Sequence, residues 1–159
     1  MLDQAEVDRI NRGGGLDTPL PRLFWEFELD LGDDSERIME RIREVVREIV
    51  EQEEDAWPED EYWKVTLPNW LTSFMPELSK DEADHLLAIT PREEWNKLPW
   101  TFGSWLEAMY ERGWRWWGYE TFGGKAKLVL QVTSIPPRLE AFKQILLAAG
   151  AKILSDHLN

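Results

Sequence analysis

The residues of this chain whose types and spacing could do chemistry are two histidines and a large number of carboxylates. Glu82 and His85 form an E-x-x-H pair, the helical spacing that di-iron carboxylate proteins use. Such sites need a second pair and further glutamates from other helices, and the other histidine, His157, has Leu154 at that spacing. We therefore expect no metal site, with His85 lying on the surface beside acidic residues.

Motifs for nucleotide or nucleophile chemistry are incomplete in this sequence. Residues 81–84 spell the D-E-A-D tetrad of a helicase family, but that chemistry needs a phosphate-cradling GxxxxGK[ST] loop, which is absent. Gly13–Gly15 and Gly123-Gly124 do not have the spacing of a phosphate loop, and both are interpreted as turns. Neither a GxSxG sequence nor a cysteine marks a nucleophile. Although a glycosidase-type acid pair stays open among 31 Asp and Glu residues, spacing singles out no pair, so we expect neither an enzyme nor a cofactor.

The hydrophobic pattern predicts the elements that must position these side chains. Apolar and acidic residues alternate from Leu23 to Leu31, which is typical of a half-exposed strand, and helical spacing over 35–53 predicts an amphipathic helix. The elements expected after these, in chain order, are a strand Tyr62–Leu67, a broken helical insert 69–112, strands Trp114–Phe122 and Lys125–Thr133 joined at Gly123-Gly124, a helix from Pro136-Pro137 to Gly150, and a strand Ala151–Ser155.

This order predicts an α+β fold in one domain, residues 23–159. We expect an antiparallel or mixed sheet of about five strands, β-α-β-[helical insert]-β-β-α-β, covered by helices, with β-α-β-β-α-β as the underlying topology. Residues 1–22 contain Gly13–Gly15, Pro19 and Pro21, although Asp3–Ile10 could form a short helix. The glycines and prolines predict a flexible N-terminal leader.

Composition excludes several classes of protein. The 159 residues include no cysteine, which removes disulfides, iron–sulfur clusters and cysteine zinc sites. Neither a signal peptide nor an apolar run of about 20 residues is present, so we expect a cytoplasmic protein with no membrane partner. The formal net charge of −13 argues against direct nucleic-acid binding and favours a basic protein partner.

The acidic residues and the tryptophans are unevenly distributed. Residues 1–99 contain 26 acids and 11 bases, and the densest stretch, 51–61, has seven acids around Trp57. Adjacent strand residues point to opposite faces of a sheet, so if Trp114 and Trp116 face the core, Trp117 should face the other side. We expect Tyr119 to share that second face with Trp117.

Small, acidic, tryptophan-rich α+β proteins without cysteine or a catalytic signature resemble the immunity proteins of bacterial toxin systems. This resemblance implies occlusion of a basic toxin's active site, with carboxylates steering the encounter and aromatic residues serving as anchors. The candidate contacts are Glu26, Glu28, Asp30, Glu53, Glu54, Asp55, Trp57, Glu59, Asp60, Glu61, Trp117 and Tyr119. Three alternatives stay open: a phage-type inhibitor that mimics nucleic acid, a carbohydrate-binding module or enzyme using Trp beside carboxylates, and a subunit of an assembly such as a homodimer.

Overall fold

Seven α-helices and four strands form the described part of this computed structural model, which comprises residues 2–75, 80–97 and 100–159. The helices are α1 (Gln4–Arg12), α2 (Ser35–Val50), α3 (Asp60–Thr66), α4 (Asn69–Thr72), α5 (Lys80–Ile89), α6 (Phe102–Tyr110) and α7 (Leu139–Ala149). The strands are β1 (Phe24–Asp30), β2 (Trp114–Phe122), β3 (Lys125–Val132) and β4 (Lys152–Leu158). Short 3₁₀ turns occupy Gly32–Asp34, Glu54–Ala56 and Arg92–Lys97.

The four strands form one antiparallel sheet in the order β2-β3-β1-β4. β3 lies between β1 and β2, and β1 lies between β3 and β4, so each strand–helix–strand connection spans an intervening strand. This is the split arrangement of a β-α-β-β-α-β fold, interrupted between α2 and β2 by a helical insert. The α+β class is confirmed, whereas the expected fifth strand is wrong.

The strand predicted over Tyr62–Leu67 is instead helix α3. Trp63 and Leu67, four residues apart, are both buried, while Val65 between them is 83% exposed. A strand would place Trp63, Val65 and Leu67 on one face, whereas a helix places only the i and i+4 residues together. The backbone N–H of Leu67 donates to the Trp63 carbonyl at 3.0 Å, which closes the last turn. A six-residue segment is too short for periodicity alone to distinguish the two elements.

The main core lies between the sheet and helices α2 and α7. α2 contributes the apolar stripe that its sequence predicts, including Ile42, Val45 and Ile49. Phe142 of α7 lies 5.5 Å from Phe27 and 5.0 Å from Trp114, measured between ring centroids. One face of the sheet is thus covered by helices, and Glu26, Glu28 and Lys127 lie on the other, which we call the open face.

Helix α1, which lies within the segment predicted to be a flexible leader, covers the outer edge of β2. The Trp116 N–H donates to the Glu6 carboxylate at 2.6 Å, and Arg9 Nε donates to the Trp116 carbonyl at 2.8 Å. Farther along, the Tyr119 N–H donates to the Gly14 carbonyl at 3.0 Å. An unprotected edge strand invites pairing with other chains, and these bonds occupy the edge of β2.

The triple glycine shapes this contact. Gly13, Gly14 and Gly15 all have positive φ, which turns the chain from the end of α1 back along β2. On the strand side, Gly118 faces this turn, and a Cβ there would collide with the Gly14 carbonyl oxygen. These glycines therefore allow a close approach between the backbones of the two segments.

Candidate protein-interaction surface

The segment between α2 and the end of the Arg92–Lys97 turn, residues 51–97, carries most of the protein's charge. It contains thirteen acidic and four basic residues and thus a net charge of −9, out of −13 for the chain. We call it the acidic insert. The β-α-β-β-α-β fold does not require this segment, because its strands and two crossover helices lie outside it.

The carboxylates of the loop 51–61 are directed to solvent and are mostly unpaired. All seven are exposed, a set comprising Glu51, Glu53, Glu54, Asp55, Glu59, Asp60 and Glu61. Among the side chains of residues 2–75, 81–95 and 100–159, a basic group lies within 4 Å of only one member of this set, Glu61, which is 3.3 Å from Lys64 Nζ. The other six charges are therefore available to a partner.

Trp57, the predicted anchor within this loop, is half-buried against a cluster of aromatic rings. Its ring centroid lies 4.9 Å from that of Trp63 and 5.4 Å from that of Tyr110. Tyr62 packs edge-on against Trp63 at 5.4 Å and is itself exposed. The aromatic cluster connects the acidic loop to α3 and α6 and leaves Trp57 and Tyr62 partly accessible.

The acidic surface continues onto the last turns of α2. Burial, together with the negative charges of Glu51 and Glu44, raises the pKa of Glu48 above its ordinary value. Glu44 and Glu48 are four residues apart on the helix, a spacing at which like charges are unfavourable. The position of Glu48 in the last turn of α2 adds to this cost, because the helix dipole is negative there.

Replacing Glu48 with glutamine is expected to stabilise the protein slightly. A carboxyl whose pKa is raised in the folded state destabilises that state when ionised, and the penalty disappears as the pH falls through the folded pKa. At pH 7 we expect E48Q to raise the unfolding free energy by about 0.2–0.5 kcal/mol per relieved like-charge pair, as measured by urea denaturation. The gain should vanish below about pH 4, where Glu48 is protonated. E36Q, in the first turn of α2, is the control and should give no gain.

The acidic residues of β1 lie on the open face of the sheet and are largely neutralised within the chain. Glu26 is held between Lys127 Nζ at 3.0 Å and His157 Nε2 at 3.3 Å. Asp30 lies 3.9 Å from Lys125 Nζ. The open face is opposite the helix layer from which the acidic insert continues. The structure therefore does not bring Glu26, Glu28 and Asp30 together with the acids of 51–61.

The predicted pair Trp117 and Tyr119 is separated by a β-bulge, where the register with β3 shifts between Trp116 and Gly118. After the bulge, Tyr119 lies opposite Leu128, and its ring packs edge-on against Trp116 on the core face. The expectation that Tyr119 shares the second face with Trp117 is therefore wrong. Trp117 is half-buried under the guanidinium of Arg9, which lies 4.5 Å from the ring centroid.

Sequence reasoning missed the exposed apolar residues of the acidic insert. Val65 is 83% and Ile89 62% exposed, and the further large members of this set are Tyr62, Phe74, Leu87 and Trp95. No residue of 81–89 in α5 is buried: Leu87, Ala88 and Ile89 are exposed, and Ala83 and Leu86 are half-buried. The signal that could have shown this is the weak segregation of apolar from charged residues along α5, which is unlike the clear stripe of α2.

The described residues give no arrangement for metal chemistry or membrane crossing. Among them, no group of three or more His, Asp and Glu side chains is placed to hold a metal ion. His85, of the E-x-x-H pair, is exposed on α5. No helix in the part of the chain described here is both long and apolar enough to cross a membrane.

The fold and this surface define an α+β protein with an acidic, partly apolar helical insert. The sequence matches no protein-family model, and comparisons with curated proteins and with solved structures found no match.

Proposed function

We propose that this chain is a binding protein that neutralises a basic protein partner through the acidic insert. The observation that carries the proposal is the set of six exposed carboxylates in 51–61 without a basic group within 4 Å in the described residues. Protein surfaces usually intersperse charges of both signs, and a single-sign field of this kind acts on other molecules.

The main effect of such a field is electrostatic steering of an approaching partner. At physiological ionic strength charges are screened over about 8 Å, so a dense local cluster acts on an approaching partner more strongly than a dispersed net charge. Complementary charge raises association rates by orders of magnitude and suppresses wrong partners. The acidic insert thus favours a partner with a basic cleft.

Apolar side chains of the same insert provide the desolvated part of the contact. Tyr62 and Val65 lie on α3 directly after the acidic loop, and Ile89 and Trp95 lie farther along the insert. Aromatic and large apolar residues dominate the energetics of protein interfaces, while charged residues surround them. Exposed apolar groups beside unpaired carboxylates therefore support a protein partner over a small ion.

The kind of binding protein that these features favour is an inhibitor of the toxin-immunity type. An insert that projects charge and apolar surface can fill a basic active-site cleft and exclude its substrate, which requires no catalytic group in the inhibitor. A nucleic-acid-mimicking inhibitor would use the same carboxylates and differs in the partner that it blocks. The cytoplasmic location remains a prediction from the sequence.

The experiment is a co-expression of this chain with the product of the adjacent gene, where that gene encodes a basic protein. We expect the pair to form a complex, and we expect the chain to relieve any growth inhibition caused by its partner. Reversing three unpaired acids, in E53K/E54K/D55K, should slow association at least tenfold at low salt and flatten its salt dependence, as measured by stopped-flow mixing.

A matched control separates local from overall charge. D17K/D33K/E36K changes the net charge by the same amount at exposed acids outside the insert, and it should leave the association rate within about twofold of wild type. Equal slowing by both triple variants would show that net charge, and not the acidic insert, drives binding. Absence of a complex with a basic neighbour's product would count against the proposal as a whole.

A further inference from the structure

A groove of about 810 Å³ lies between α6, the start of α7 and the Pro136-Pro137 loop, away from the acidic loop 51–61. Trp25 and Trp100 line it, and the two prolines extend its apolar surface. Its volume is within the range of small-molecule sites, which are mostly apolar clefts with a few convergent polar groups.

The polar groups of the groove are dominated by carboxylates. Glu107 and Glu111 project from one side of α6 and its C-terminal cap, one helical turn apart, and Glu140 comes from the first turn of α7. Arg138 and Lys143 are the lining cations. Three acids against two bases leave the groove with an excess of negative charge.

Both lining cations are already paired within the chain. Arg138 lies 2.9 Å from the Glu111 carboxylate, and Lys143 Nζ lies 3.0 Å from Glu140 and 3.4 Å from Asp156. Burial alone would lower the pKa of Lys143, but the hydrogen bonds and charges of Glu140 and Asp156 outweigh it and hold this pKa above its ordinary value.

Two further donors of the groove are also in use. The Trp25 indole N–H donates to Asp156 at 2.9 Å, and the Ser104 hydroxyl donates to the Thr101 carbonyl at 3.0 Å within the α6 capping box. In contrast, the Glu107 carboxylate has no basic group within 4 Å among the side chains of residues 2–75, 81–95 and 100–159. The groove therefore offers a ligand a free acceptor and apolar walls, while Arg138, Lys143, Trp25 and Ser104 each already contact an acceptor of the chain.

We infer that this groove is a binding site for a small organic cation, a guanidinium or ammonium group on an apolar body. A sugar presents hydroxyls that need donors as well as acceptors, whereas a cation brings only donors and matches the free carboxylate. The apolar body contacts the side chains of Trp25 and Trp100, which line the groove. The cationic head pairs with Glu107.

The test uses benzylguanidinium and its neutral isostere benzylurea as probes, with binding measured by isothermal titration calorimetry on the full chain. We expect saturable, one-to-one binding of benzylguanidinium at millimolar concentration and at least about tenfold weaker binding of benzylurea, because the charge-assisted hydrogen bond is lost. E107Q should weaken benzylguanidinium at least tenfold. E120Q, which removes an exposed acid on β2 outside the groove, should not change its affinity.

The outcomes are separable from those of the proposed function. E53K/E54K/D55K should bind benzylguanidinium as wild type does, because its changes lie outside the groove lining. Equal affinity for the two probes, unchanged binding by E107Q, or no saturable binding would overturn the inference. Binding of an arginine-containing tripeptide in the groove without binding of the free cation would also overturn it, in favour of a peptide site.

Discussion

Replacement of Glu6 by alanine is expected to lower the free energy of unfolding by about 3–5 kcal/mol. The Glu6 side chain is fully buried, and its two oxygens accept from Arg112 at 2.8 and 2.9 Å and from the Trp116 N–H at 2.6 Å. Removing the carboxylate leaves a largely buried guanidinium and a strand N–H without their acceptor. An uncompensated buried charge costs far more than the intact pair contributes, so the loss is large.

Urea denaturation of E6A, E6Q and a control on the same helix measures this effect. E6Q keeps a side chain of the same size with one acceptor oxygen, so its loss should lie between those of E6A and wild type. Asp8 is exposed on the same helix, and D8A should stay within about 0.5 kcal/mol of wild type. A loss below 1 kcal/mol in E6A would show that the Glu6–Arg112 pair does not hold α1 in place.

The same substitution should have a local signature at the edge of the sheet. Arg9 bonds to β2 at the Trp116 carbonyl and Gly14 bonds to it at the Tyr119 N–H, both beyond the Glu6 contact along the strand, so loosening α1 exposes the edge along several residues. We expect the amide protons of Trp116 and Tyr119 to lose protection in hydrogen exchange before those of β3 do. These bonds join residues more than a hundred positions apart, and nothing in the local sequence indicates such a pairing.

The parts of the fold that could be predicted are those in which an element buries one face against a single core. The alternation of β1 and the apolar stripe of α2 have the correct period because both elements face the same core. The hairpin of β2 and β3 follows from Gly123-Gly124, since a two-residue glycine turn has few alternatives.

The parts of the candidate site that could not be predicted depend on tertiary contacts. A strand pattern assigns Tyr119 to the face of Trp117, but one inserted residue at the bulge reverses the alternation. The acids of β1 are Asp and Glu residues, as are those of 51–61. The two sets differ in pairing, because Lys127 and His157 lie across the sheet from Glu26 and pair with its carboxylate. Charge density alone does not distinguish paired from unpaired carboxylates.

Replacement of Trp63 by alanine is expected to cost about 3–5 kcal/mol, the range for a large buried aromatic side chain. Trp63 is fully buried, and it holds Trp57 and Tyr62 beside the acidic loop. Its loss should therefore also change the conformation of 51–61, because these rings connect the loop to α3.

The matched variant is V65A, two residues along the same element. On a strand Trp63 and Val65 would share a face and both substitutions would be costly, whereas on helix α3 Val65 points to solvent and V65A should stay within about 0.5 kcal/mol of wild type. Urea denaturation of both variants measures the difference, and a loss of more than 1.5 kcal/mol in V65A would favour the strand.

The exposure of Val65 also makes it a contact candidate, so the same variant should weaken binding of a basic partner without weakening the fold. In contrast, W63A should weaken both, since it disrupts the support of the acidic loop.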